Sequence, residues 1–74
     1  MNATIENNFS YHAPTPEQQE NYVRLRSHAK DLAYLIDHCC PAGREKSTAM
    51  TKLEEAVMWA NAAIARQNLE PKRL

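Results

Sequence analysis

The sequence predicts an all-α fold: an antiparallel helical hairpin preceded by an extended N-terminal arm. Three observations carry this. The segment Arg44–Arg66 holds no Gly and no Pro and is rich in helix formers. A second apolar seam runs through Tyr22, Leu25, Ala29, Leu32, Ile36 and Cys39 at alternating steps of three and four. Between the two stands Pro41-Ala42-Gly43, with both residue types that stop helices. So short a turn makes the two helices antiparallel neighbours. No strand alternation, internal repeat or glycine-rich phosphate loop interrupts the pattern.

The chain is read as a single domain, 1–74. Residues 1–8 are polar and read as a loose N-terminus. Residues 9–15 form the extended arm, with two aromatics in Phe9-Ser10-Tyr11-His12 and a proline, Pro14, that disfavours helix just before it. Thr15-Pro16-Glu17-Gln18 is a helix start: Thr15 caps, Pro16 takes the first helical position, and Gln18 stands three residues after the cap. The first helix spans 16–40 and the second 44–67. Residues 68–74 are a tail in which Pro71 marks the end of the pattern.

The second helix carries more apolar surface than one partner helix covers. Met50, Leu53, Val57, Ala60 and Ile64 define one stripe. Ala49, Ala56, Met58, Trp59, Ala62 and Ala63 lie off it and extend the apolar surface around the helix. A core built from 74 residues supplies only a few kcal/mol of net stability, so a chain this small needs a staple. Its only cysteines, Cys39 and Cys40, are adjacent and cannot clamp distant parts of the chain. Copies of the same chain are the cheapest cover for the excess. The expected assembly is a compact homo-oligomer, with Trp59 and Met58 as interface anchors.

Nine Lys plus Arg balance nine Asp plus Glu, so the formal charge is zero. That argues against a general binder of DNA or RNA, which needs a broad positive field. It leaves room for a small anionic ligand held by two or three basic groups repeated by symmetry. Met1–Ser10 lacks the apolar run of a secretory leader, and no stretch reaches membrane-spanning length. The expected setting is a reducing cytoplasm.

No Ser-His-Asp or Cys-His set is placed together, and Glu54 and Glu55 point in different directions from adjacent helical positions, so no catalytic residue and no cofactor are expected. His38, Cys39 and Cys40 fan over most of a turn rather than closing a zinc loop, so no metal is expected. Cys39 fits the seam as a small core residue. In the arm, alternation puts Phe9 and Tyr11 on one side and His12 on the other. Two readings of the aromatics stand side by side. They pin the arm to a helix groove, or Tyr11 lies flat on a ligand base, where stacking contributes roughly 1–3 kcal/mol. Arg24, Arg26 and Lys30 are the basic groups of the first helix. Arg26 and Lys30 share a face, with Tyr22 rather than a carboxylate four positions before Arg26. That face is either merely solvated or a phosphate contact. Arg66 complements the helix dipole or points into an assembly pocket.

The strings Arg44-Glu45-Lys46-Ser47 and Thr51–Arg66, with the arm Phe9–Pro14, resemble the bacteriophage anti-CBASS cyclic-oligonucleotide sponge family. CBASS is a cyclic-oligonucleotide-based anti-phage signalling system. The resemblance runs from about Phe9 to Gln67. It implies a compact helical hexamer, in the host bacterial cytoplasm, that binds cyclic messengers without cleaving them. It implies pockets between two protomers for cyclic dinucleotides such as 3′,3′-cyclic GMP–AMP, and separate pockets where three protomers meet for cyclic trinucleotides. Carried over by position, Tyr11 stacks on a dinucleotide base and Arg26 faces its phosphates, with Lys30 as the fallback in register and His12 as a weaker candidate. Arg66, with Arg44 as a weaker candidate, falls to the trinucleotide pocket. Cys39, Cys40 and the tail receive no role. The competing class is a helical interaction module that docks its apolar helix on a host protein. A phosphodiesterase ranks third.

Overall fold

A computed structural model of the chain describes residues 2–67. It contains three helices in the order α1 (Ala3–Asn8), α2 (Pro16–Cys39) and α3 (Arg44–Ala65), and no strand among the described residues. The segment read as a loose start is thus largely helical. Its first turn is held by Asn2, whose Oδ1 accepts from the backbone N–H of Thr4 at 2.9 Å and of Ile5 at 3.2 Å. Residues 9–15 carry no regular structure. The tail, 68–74, lies outside the described residues.

α2 starts as its sequence dictates. The Thr15 backbone N–H donates to Gln18 Oε1 at 2.9 Å, and the Gln18 N–H donates to Thr15 Oγ1 at 3.1 Å. This is a complete capping box with Pro16 at the first helical position. α2 stops at Cys39, where the Cys40 N–H still bonds Ile36 O and Pro41 follows. α3 begins after Gly43, which supplies no side-chain cap, and ends at Ala65, two residues short of the expected limit.

The two long helices form an antiparallel hairpin. At the turn end, Lys46 Nζ reaches Asp37 Oδ1 at 3.0 Å and Asp37 O at 3.1 Å. At the open end, Gln18 Nε2 donates to Ile64 O at 3.0 Å. Gln18 is 6% exposed and is the only buried residue among those described. Among the described residues no apolar side chain is buried.

The seam between the helices is half-buried. On α3 it consists of Met50, Leu53, Val57, Ala60 and Ile64, the expected stripe. On α2, Tyr22, Leu25, Ala29 and Ile36 take the expected places, but Leu32 and Cys39 are exposed, and Ala33 and Cys40 stand in the seam instead. The reason is geometric. A strict seven-residue repeat drifts about 20° per heptad on a straight α-helix. Over the 24 residues of α2 the contact line therefore moves one position on, and Gln18, Ala29 and Cys40 fall eleven residues apart along it. The expectation that Cys39 is a seam residue is corrected to Cys40.

The result is an open scaffold rather than a closed core. Its Cα radius of gyration is 15.6 Å, against roughly 11 Å for a compact domain of this length. Its accessible surface is 6427 Å², against roughly 4,700 Å² for a compact monomer of this mass. Ile5, Val23, Tyr34, Leu35, Met58 and Trp59 are all more than half exposed. No described helix is long and apolar enough to cross a membrane.

Candidate functional site

The hairpin distributes its candidate ligand groups over three places. The first is the arm at the open end. Phe9 and Tyr11 are 86% and 87% exposed, so neither aromatic pins the arm to a groove. His12 does the pinning: it is half-buried, and its Nε2 lies 2.7 Å from Asn7 O. A carbonyl only accepts, so this nitrogen carries the proton. Ser10 Oγ donates to Glu6 O, which ties the arm back onto α1. The chain thus holds its arm with polar bonds and leaves both aromatic rings in water.

The second place is the groove along the middle of the hairpin. Arg26 and Lys30, four residues apart on α2, border a concavity of about 300 Å³ with Ala29, Ala33, Leu53, Glu54 and Val57. Both cations are exposed, and among the described residues neither forms an ion pair. They lie about two and three turns into α2 from Gln18, away from the open end where the arm sits. Within one protomer the arm and this basic face are separate.

The third place is the C-terminal end of α3. Arg66 is half-buried and borders a concavity of about 270 Å³ with Trp59, Ala62, Ala63 and Gln67. None of these neighbours is charged, so no carboxylate of this concavity competes for Arg66. Arg44 lies at the other end of the same helix, beside Glu45 and Thr48. Twenty-two residues at 1.5 Å each put about 33 Å between them. The structure therefore does not bring Arg44 and Arg66 together within one chain.

Sequence reasoning passed over a fourth place. Asn21, Arg24, Leu25 and His28 of α2 border, with Ile64 of α3, a concavity of about 440 Å³. Arg24 and His28 have the same four-residue spacing as Arg26 and Lys30, so the signal that picked out one pair was available for the other. Also passed over was Asn61, whose Oδ1 is buried without a hydrogen-bond partner. Among the described residues no group of three His, Cys, Asp or Glu side chains is placed to hold a metal ion. Cys39 and Cys40 are both free thiols.

The family model for the Acb2/Tad1 hairpin domain matches residues 1–65. The chain belongs to the Acb2/Tad1 family. This is the family of anti-CBASS sponges, known for binding cyclic oligonucleotides. The match spans α1, the arm, α2 and all of α3, and so includes Tyr11, His12, Arg26, Lys30 and Arg44. Arg66 falls one residue beyond it. No curated protein and no solved structure matches the chain. As an Acb2/Tad1 hairpin, the chain has its arm, its α2 cations and its α3 terminus held on one scaffold with an unfinished core.

Proposed function

We propose that this Acb2/Tad1 hairpin is a stoichiometric sponge. It self-associates, as a hexamer, and sequesters cyclic dinucleotides and cyclic trinucleotides in pockets between protomers, in the cytoplasm of the infected bacterium. It does not cleave them, and the CBASS effector is left without its activator. The observation that carries this reading is the separation of the candidate groups. Among the described residues, one protomer holds an unburied aromatic, a basic face without an ion pair and an arginine at the end of α3 at different places, on a hairpin with no buried apolar side chain. Self-association would finish the core and complete the sites in one step.

The assignments are those the family resemblance implies, and the residue chemistry suits them. Tyr11 is the stacking group for a base of the dinucleotide, worth roughly 1–3 kcal/mol. Arg26 faces the phosphates, Lys30 stands one turn on, and His12 is the weaker neighbour. Arg66, gathered in copies about a symmetry axis, faces a trinucleotide, with Arg44 as the weaker candidate from the far end of another protomer. Nanomolar capture needs about −12 kcal/mol. Stacking plus several charge-assisted hydrogen bonds of about 1.5–3 kcal/mol each reach that scale when the pocket is already ordered by subunit packing.

Titration calorimetry with 3′,3′-cyclic GMP–AMP tests the reading. Saturable binding at a fixed ligand-to-protomer ratio is expected, and messenger recovered intact after denaturation excludes a phosphodiesterase. Absence of binding at micromolar concentrations, repeated by an orthogonal assay, overturns it. The exposed Met58 and Trp59 also favour a second reading, a module that docks on a host protein. A monomer that assembles only with a host protein decides for that alternative.

A further inference from the structure

The arm that bears Tyr11 has no apolar anchor. Phe9 and Tyr11 are almost fully exposed, so burial of their rings holds nothing in place. On the N-terminal side, the arm is linked to the end of α3 by a chain of two hydrogen bonds. His12 Nε2 donates to Asn7 O at 2.7 Å, and Asn7 Nδ2 donates to Arg66 O at 3.4 Å. Asn7 is half-buried, as are His12 and Arg66. Arg66 O is one of the carbonyls that a helix end leaves without an intrahelical donor. From the other side of the arm, Gln18 Nε2 donates to Ile64 O, which also accepts from the Gln67 backbone N–H at 3.3 Å. The arm is therefore moored at both ends to the same terminus of α3: through Asn7 before it and through Gln18 after it.

We propose that Asn7 and His12 are positioning residues, forming a latch that registers Tyr11 against the C-terminal end of α3. This rests on the reading of Tyr11 as the base-stacking group. His12 then acts through the arm, with its Nε2 already engaged by Asn7 O. A latch of one or two such bonds sets a population. A hydrogen bond of this class changes an equilibrium by about tenfold. Apparent affinity falls by the fraction of molecules whose arm leaves the binding-competent place.

Two readouts on the full chain test the latch. The first needs no ligand: backbone order parameters of Ser10, Tyr11, His12 and Ala13 from NMR relaxation. Rigid backbone reads about 0.85 and flexible backbone below 0.6. The expected result is a rigid arm in the wild type, values below 0.6 in His12→Ala, and recovery in His12→Gln, whose side-chain amide nitrogen reaches the place of Nε2. Asn7→Ala loosens the arm as well, and the double variant is no looser than the worse single one, because both bonds belong to one chain. The second readout is titration with 3′,3′-cyclic GMP–AMP. Dinucleotide affinity falls about twofold in His12→Ala and Asn7→Ala, as expected when a tenfold weaker latch leaves about half of the arms in place, and returns in His12→Gln, while helix content and midpoint of unfolding hold steady. An arm equally ordered in wild type and His12→Ala overturns the latch, as does an unchanged affinity in a wild type that binds. A wild type that binds no cyclic dinucleotide overturns the sponge reading instead, and the order parameters alone then decide the latch.

Discussion

The α2–α3 seam and the N-terminal arm are held by opposite means. The seam is apolar, continuous over both helices and half-buried, with Met50, Leu53, Val57, Ala60 and Ile64 facing Tyr22, Leu25, Ala29, Ala33 and Ile36. The arm keeps its aromatics in water and is tied by side-chain hydrogen bonds from Ser10, His12 and Asn7. A half-buried apolar seam gains from further burial, so added subunits stabilise it. A polar mooring gains nothing from more apolar cover, but it orients a ring without hiding it. On the proposed function, the seam is the region completed by copies of the chain and the arm is the region that meets the ligand.

The strongest way to break this contrast is at Trp59. An exposed surface residue of a monomer changes stability by no more than about 0.5 kcal/mol when replaced. As a buried anchor between subunits it costs 2 kcal/mol or more. Trp59→Asp is expected to dissociate the assembly into single chains, read by sedimentation velocity, with loss of all cyclic-oligonucleotide binding.

Next in size is Gln18, where the two regions meet. Gln18→Ala removes the bond to Ile64 O and half of the capping box, at the one residue that is buried as a whole among those described. A loss of about 1–3 kcal/mol is expected in denaturant unfolding. Gln18→Glu, which keeps the acceptor toward Thr15 but not the donor toward Ile64 O, sharpens the result by separating cap from clasp.

Tyr11→Ala sharpens the comparison from the arm's side. Stability stays within about 0.5 kcal/mol, since the ring is exposed. Cyclic dinucleotide affinity falls by the roughly 1–3 kcal/mol of a lost base stack, while cyclic trinucleotide affinity holds. Arg66→Ala is expected to do the reverse. Calorimetry with both ligand classes checks the pair, and equal losses for both ligands in both variants contradict the two-pocket assignment.

The smallest effect belongs to the turn. Lys46→Ala breaks the contacts to Asp37, whose side chain is 68% exposed. A surface pair of this kind contributes about 0–1 kcal/mol. Thermal unfolding is expected to move by no more than that, and by less at high salt.

Much of the scaffold was legible in the sequence because its signals are local. Thr15-Pro16-Glu17-Gln18 states a capping box outright, Pro41-Ala42-Gly43 states the turn, and the α3 stripe appears where its spacing puts it. The α2 seam was legible only to within one position. A seven-residue rule and the true helical period agree near Leu25 and part company by Leu32 and Cys39. Helix α1 was not legible, because six polar-leaning residues do not form a helix on local propensity. It depends on the Asn2 cap, and Asn7 meets a carbonyl 59 residues away. The arm was half legible. Alternation places His12 opposite Phe9 and Tyr11, and the exposures follow that division, but the side that binds the scaffold is the polar one. For the candidate site, the sequence names residue types and the single chain shows them apart. Arg44 and Arg66 lie about 33 Å from each other along one helix. Which surfaces meet in an assembly is a property of several chains, and no pattern in one chain states it.

On the proposed function, this hairpin completes its apolar core and its binding pockets only by associating with itself. Native mass spectrometry of the purified full chain, alone and with cyclic GMP–AMP, tests it most directly. The expected result is a closed homo-oligomer, six chains in size, that takes up messenger in whole-number ratios to its subunits. A folded single chain at micromolar concentration, with or without messenger, contradicts it.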